Sequence, residues 1–278
     1  MYAKVDGFSY GLLTPLAAFV AACTGGALGL RGLTRALRTV QPGRAGWLAL
    51  SSAAFGTSVW ITHFIAMMGF AVAHAPLDYD LLVAFAGLGV AIVMVGAGIF
   101  IAAYRGMTGR AVFTGGTVTG LGIASTHYMG MAGLRLDGHL EYNTLTVAAS
   151  VLIAVVAATG AFWVVGQGRG TRWNAAAGLV MGLAMLGMHY TGMSAVRVHL
   201  YAPAAGASAG SPVRELTLML IGPVAFLLVL AVILLATPGR AAPLPLRAFG
   251  TSRLPVLPTQ RSGGPESARV RSRTPQNR

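Results

Sequence analysis

Charge is the first thing this sequence lacks. Only 10% of its 278 residues are charged, and seven of them are acidic, whereas a soluble domain carries about 25% charged residues. Long, continuously apolar runs dominate instead, and about 20 such residues span a bilayer core as a helix. This excludes a soluble enzyme and predicts an all-α bundle of seven transmembrane helices, over residues 9–30, 46–71, 80–104, 111–134, 144–166, 174–197 and 215–237.

Reactive side chains are also scarce. The single cysteine, Cys23, excludes an internal disulfide, and the single lysine, Lys4, precedes the first span and excludes a retinal Schiff base inside the bundle. Carboxylates are absent from the interior of the spans, which argues against proton-coupled transport. No phosphate-binding loop and no GxSxG elbow is present. We therefore expect a protein that is not an enzyme.

The positive charge is distributed asymmetrically. The net charge is +13, yet sixteen arginines fall on one side of the predicted membrane, and six of the seven acids fall on the other. The positive-inside rule explains this better than nucleic-acid binding does, so we predict no nucleic-acid partner. The N-terminus is predicted outside and the C-terminus in the cytoplasm, with the lipid bilayer as the surrounding medium.

Three copies of one motif organise the chain. His63, His127 and His189 are each followed by an aromatic residue and, four positions after the histidine, by a methionine. The histidines are 64 and 62 residues apart, so the chain repeats a structural unit. We predict three helical hairpins plus a seventh helix, with the histidines on the second helix of each hairpin and at a common depth in the outer half of the bilayer.

The repeat also contains small residues. A glycine lies seven positions before each histidine, at Gly56, Gly120 and Gly182, and a serine or glycine lies eleven before. On a helix these positions form one stripe with the histidine and the following methionine. Small residues at this spacing let helices approach closely in a membrane.

Imidazole and thioether side chains are both metal ligands. A single buried histidine is explained by a hydrogen bond between helices, but three at one depth indicate a metal site. Thioethers favour copper, particularly Cu(I), and the absence of carboxylates argues against magnesium or calcium. Haem is the alternative cofactor, and a pure packing or proton-relay role also stays open. The outer histidines His74, His139 and His199 are interpreted as solvated loop residues.

The stretch Met188-His189-Tyr190-Thr191 resembles the signature of the MHYT-domain family of bacterial integral membrane sensors. The triple repetition on alternate helices is similar to that family too, and the resemblance covers residues 1–237. It implies a seven-helix inner-membrane sensor that binds copper through histidine and methionine. The implied signals are diatomic gases, namely oxygen, carbon monoxide or nitric oxide, or redox state.

The chain departs from the family motif at the residue before the histidine. Only the third copy has methionine there, as Met188, while Thr62 and Thr126 replace it in the others. That position points about 100° away from the histidine on a helix, so we favour the methionine at +4. The predicted metal-binding residues are His63, Met67, His127, Met131, His189 and Met193, with Met188 as a further candidate.

The segment 238–278 is rich in proline and arginine and is predicted to be a disordered cytoplasmic tail. Family members often continue into a domain that metabolises cyclic di-GMP, but this segment lacks apolar periodicity. We therefore expect the sensor domain, 1–237, to signal through a separate cytoplasmic protein. A copper or haem transporter or carrier is the alternative function.

Overall fold

The computed structural model describes residues 2–39, 42–73, 75–168, 170–201 and 213–237. These residues form seven long helices, which match the predicted apolar runs except that the first continues to Arg38. The predicted tail, 238–278, and His74 lie outside the described residues. The helices are α1 (Leu13–Arg38), α2 (Arg44–Met67), α3 (Leu81–Tyr104), α4 (Gly109–Ala132), α5 (Thr144–Gly166), α6 (Thr171–Ser194) and α7 (Val213–Ala236).

Six of these helices are long and apolar enough to cross a membrane, and α4 is the one that is not. Helix α4 has 24 residues, as α2 and α3 do, but it contains several glycines and threonines. It contacts α3 and α5 on its two sides and also touches α2 and α6. Since its small and polar residues face other helices, α4 needs less apolar surface than a helix surrounded by lipid.

Helix α1 extends past its predicted end because its arginines bind another helix. Arg31 Nε donates to the carbonyl of Leu234 at 3.3 Å, and Arg35 Nη1 donates to that of Thr237 at 2.6 Å. Cations near a helix C-terminus satisfy carbonyls that lack an intrahelical partner. The two arginines therefore connect α1 to the C-terminal end of α7.

The first six helices form a closed ring. Each of α1 to α5 contacts the next helix along the chain, and α6 returns to contact α1. Helix α7 lies against α2 and, less extensively, α1. The even-numbered helices α2, α4 and α6 also contact one another, so they face the centre of the ring.

Short antiparallel ribbons join the ends of each helix pair. In every case the strand before the first helix of a pair bonds to the strand after the second helix. This end of the bundle, which carries all six strands, is called the ribbon end below. The pairs are β1 (Val5–Asp6) with β2 (Ala71–Val72), β3 (Asp78–Tyr79) with β4 (Leu134–Arg135), and β5 (Gly138–Tyr142) with β6 (Val196–Leu200).

The glycine seven residues before each histidine lies where two helices come closest. A Cβ added at Gly56 would approach within 2.6 Å of the Ile92 Cα, which is shorter than side chains tolerate. The contacted helix is always the first helix of the following pair, and the third contact returns to α1. The three contacts are Gly56 with Ile92 on α3, Gly120 with Val155 on α5, and Gly182 with Cys23 on α1.

Candidate metal centre

Three histidines, one from each even-numbered helix, meet in the middle of the ring. His63 on α2, His127 on α4 and His189 on α6 are 4%, 1% and 3% exposed. The equal spacing of the repeats brings them to one level along the bundle. The prediction that they share a common level is confirmed.

The Nδ1 atoms of the three imidazoles form a nearly equilateral triangle. Nδ1 of His63 lies 3.2 Å from that of His127 and 3.3 Å from that of His189, and the last two are 3.2 Å apart. The rings are steeply inclined to one another, with interplanar angles of 86°, 70° and 85°. This cluster is the group of potential metal ligands found among the described residues.

This triangle fits a single metal ion. Nitrogen ligands lie about 2.0–2.1 Å from a tetrahedral ion such as zinc, which separates them by about 3.3–3.4 Å. If the Nε2 atoms carry the ring protons, three Nδ1 lone pairs face one another, and that arrangement is favourable only around a cation. The cluster is therefore compatible with metal binding.

Two glycines make room for the imidazoles. A Cβ on Gly130 would collide with Nε2 of His63, and one on Gly192 would lie 2.6 Å from Nε2 of His127. Each glycine follows the histidine of its own repeat by three residues and packs against the imidazole of the preceding repeat. Glycine at these two positions is thus required for the observed approach of the rings.

A small cavity adjoins the triangle. Its volume is about 10 Å³, close to what one water-sized species needs. Besides the three histidines it is lined by the residues one and four positions before them, namely Val59, Thr62, Ile123, Met185 and Met188. Side chains on a helix lean towards its N-terminus, which brings each imidazole towards the preceding turn of its own helix.

The methionines at +4 lie elsewhere. Met67 and Met131 are fully buried in a second apolar cluster with Trp60 and Phe64, and Met193 packs against that cluster. None of the three is among the residues that line the cavity. Their assignment as ligands stays a prediction, and the geometry favours other thioethers.

Met188 and Met185 are the methionines beside the histidines. The sequence favours the +4 methionines over Met188, and neither Met185 nor Thr62 is among the predicted metal-binding residues. The signal for Met185 was available: it lies four residues before His189, on the side towards which helical side chains lean.

The histidines at the ribbon end do not join this cluster. His139 and His199 are cross-strand partners on β5 and β6, with ring centroids 5.0 Å apart. His139 also pairs with Glu141, with Nε2 and Oε1 3.3 Å apart. They belong to the ribbon and lie outside the group formed by the three buried histidines.

A second charged contact at the ribbon end joins Asp80 to Arg135. Asp80 caps α3 by accepting from the backbone N–H groups of Leu82 and Val83, and its carboxylate also pairs with Arg135. The hydrogen bond from Arg135 and those from the backbone lower the pKa of Asp80 below its ordinary value. Burial raises the pKa of Tyr142 to about 12.

Helices α1 to α6 surround a buried histidine cluster, and six of the seven helices are apolar enough to span a membrane. They define a multi-pass membrane protein with a candidate metal centre in its core. Residues 56–115 and 120–178 match the family described as the bacterial signalling protein N-terminal repeat, MHYT. Over these two segments the match confirms the resemblance seen in the motifs of the chain.

Curated relatives are signalling proteins. The chain is 36% identical over 155 residues to an uncharacterized signaling protein of Caulobacter vibrioides, an alignment that covers 56% of this chain and 19% of that protein. It is 35% identical over 159 residues to the bifunctional diguanylate cyclase/cyclic di-GMP phosphodiesterase MucR of Pseudomonas aeruginosa. That alignment covers 55% of this chain and 23% of MucR.

A second Pseudomonas aeruginosa relative is the cyclic di-GMP phosphodiesterase NbdA, which is 34% identical over 193 residues, covering 64% of this chain and 23% of that protein. The match thus spans between 19% and 23% of the length of these three relatives. No solved structure matches the chain.

Proposed function

We propose that the protein is an integral membrane sensor that holds a copper ion through Nδ1 of His63, His127 and His189. The triangle of Nδ1 atoms, with sides of 3.2–3.3 Å, carries this proposal. Copper held there would supply a redox-active centre able to bind a diatomic gas. The burial of all three imidazoles keeps bulk water from competing for that position.

The chemistry of the cavity favours copper over other metals. Imidazole suits copper, zinc and iron alike, whereas thioethers favour Cu(I). Met185 and Met188 line the cavity, and no carboxylate or thiolate does so. Haem is disfavoured because a space of about 10 Å³ between three converging imidazoles cannot hold a macrocycle.

The proposed signal is a diatomic gas or a change of redox state, and the proposed output passes to a cytoplasmic signalling protein. MucR and NbdA are named for cyclic di-GMP enzymes, which supports a role in signalling. We propose no catalysis by the helical bundle itself. All seven helices cross the inner membrane in this proposal, with the N-terminus outside and the C-terminus in the cytoplasm.

Transport of copper is the alternative function. A transported ion must leave its ligands readily, and transport sites commonly lie at broken helices. Here the histidines lie on continuous helices and are enclosed by the ring. These features favour an ion that stays bound.

Elemental analysis tests the metal site. The full chain is purified in detergent, loaded with Cu(I), desalted and analysed for copper, zinc and iron. We expect about one copper per chain in the wild type, because three imidazoles form one site. Each of His63→Ala, His127→Ala and His189→Ala is expected to lose it.

The matched control is His139→Ala, which removes a histidine of the ribbon end and is expected to retain copper. Wild-type protein that remains free of copper after loading overturns the proposal, and stoichiometric zinc in its place overturns the choice of metal. Copper accumulation by proteoliposomes containing the protein supports the transport alternative instead.

A further inference from the structure

Thr62 carries a buried hydroxyl that the fold leaves without a hydrogen bond. The residue is 3% exposed, and its Oγ1 finds no partner within the part of the chain that the structure describes. A threonine inside a helix ordinarily donates to the carbonyl four residues earlier. Five further threonine hydroxyls among the described residues also lack a partner, so Thr62 is distinguished by its place at the cavity.

The second repeat provides the comparison. Thr126 occupies the same position, one residue before its histidine, and donates to the carbonyl of Gly122 at 2.8 Å. Thr126 does not appear among the residues that line the cavity, whereas Thr62 does. In the third repeat Met188 stands at this position, so the three copies differ where they meet the cavity.

Among the side chains that line the cavity, Thr62 is the one hydrogen-bond donor besides the three imidazoles. The others are apolar or thioether side chains: Val59, Ile123, Met185 and Met188. The cavity volume of about 10 Å³ limits an added ligand to the size of a water molecule or a diatomic gas. Thr62 is therefore the one cavity-lining residue that carries a hydroxyl, and that hydroxyl has no partner among the described residues.

We propose that the Thr62 hydroxyl donates a hydrogen bond to a diatomic ligand bound in this cavity, beside the three histidines. This inference rests on the proposed function, because it assumes that copper held by the histidines binds such a ligand. The first repeat then provides the donor for the ligand, and the third repeat provides the thioethers. Thr62 selects for ligands that accept a hydrogen bond.

Carbon monoxide is the probe for the test. Copper-loaded full-length protein is exposed to carbon monoxide, and the C–O stretch is recorded by infrared spectroscopy in H₂O and in D₂O. In Thr62→Val we expect a shifted band that no longer responds to D₂O. We also expect carbon monoxide to bind about 2- to 10-fold more weakly, the effect of losing one neutral hydrogen bond.

Thr126→Val is the matched control. It removes a hydroxyl from the same position of the second repeat, and we expect its band and affinity to equal those of the wild type. Both variants are compared by copper content and melting temperature, so that a folding defect is recognised.

The outcomes separate the two proposals. An unchanged band and affinity in Thr62→Val, with copper bound, overturn the role of Thr62 and leave the copper site intact. A wild type that binds copper but not carbon monoxide also overturns the inference alone. A wild type that binds no copper overturns the proposed function, and the inference with it.

Discussion

At the scale of single residues, the candidate metal centre depends on two positions without a side chain as much as on the three histidines. The imidazoles of His63 and His127 reach the centre because Gly130 and Gly192 have no side chain in their path. The histidines occur one per repeat, but His63 and His127 are each packed against a glycine of the repeat that follows. A histidine in this sequence is therefore oriented by a residue more than 60 positions away.

Gly192→Ala is expected to weaken copper binding by about 10- to 100-fold, the range observed when groups that orient metal ligands are altered. The added methyl would lie 2.6 Å from Nε2 of His127, so that imidazole must move out of the triangle. Copper affinity is measured by competition with a Cu(I) chelator of known affinity.

Gly187→Ala on the same helix is the control for this substitution. Its added methyl would meet only Ile153 Cγ2, at the ordinary contact distance of 3.9 Å. Both variants exchange glycine for alanine inside α6, so their gain in helix propensity is similar. Equal copper affinities in the two variants would contradict a role of Gly192 in positioning His127.

At the scale of the elements, each helix pair is closed by a ribbon, and the second pair adds an ion pair. Asp80 begins α3 as its N-cap and pairs with Arg135 of β4, so one carboxylate joins the start of α3 to the strand that follows α4. In the third pair Asn143 caps α5 at the corresponding position by accepting from Thr146 N–H. The third helix pair thus has the same kind of N-terminal side-chain cap, but the capping residue carries no charge.

Asp80→Asn is expected to remove part of the acid sensitivity of the fold. The pKa of Asp80 is lowered in the folded protein from its ordinary value of 3.8, chiefly by the hydrogen bond from Arg135. A lowered pKa stabilises the fold at pH values above the unfolded pKa, and that contribution disappears as the pH falls through the folded pKa. Melting temperatures in detergent between pH 7 and pH 2 measure the effect.

Asparagine still caps a helix, so Asp80→Asn isolates the charge, and its melting temperature should decline less below pH 4 than that of the wild type. Asp78→Asn is the control, since the Asp78 carboxylate forms no ion pair among the described residues. Parallel pH profiles for the wild type and Asp80→Asn would show that the ion pair contributes nothing to stability.

At the scale of the whole molecule, the question is whether α4 crosses the membrane. The hydropathy of α4 is too low for a candidate membrane span. Its length and its place in the ring between α3 and α5 are nevertheless those of a spanning helix. An odd number of crossings puts the start of α1 and the end of α7 on opposite sides of the membrane.

Cysteine labelling tests this arrangement, because Cys23→Ala yields a background without cysteine. Arg105→Cys lies after α3 and Asp137→Cys lies after α4, and both positions are exposed. In spheroplasts, a membrane-impermeant maleimide should label Asp137→Cys at once and Arg105→Cys only after lysis. Labelling of both positions from the same side would show that α4 does not span the membrane.

Much of the fold follows from the sequence because its signals are local. Runs of apolar residues predicted seven helices, and the 64- and 62-residue spacing of the histidines predicted their common level. The end of α1 was missed, because Arg31 and Arg35 continue the helix by binding carbonyls of α7, some 200 positions away. No local pattern reveals such a contact.

The sequence by itself determined which helices carry the histidines and that these lie at about one depth, since nearly equal spacing on equivalent helices gives similar depth. Only the tertiary structure decided what surrounds them. Met185, Met188 and Thr62 line the cavity, and the methionines at +4 do not, because they pack into a second apolar cluster. The ring closure of α6 on α1 completes the triangle, and it depends on contacts between residues at opposite ends of the repeat array.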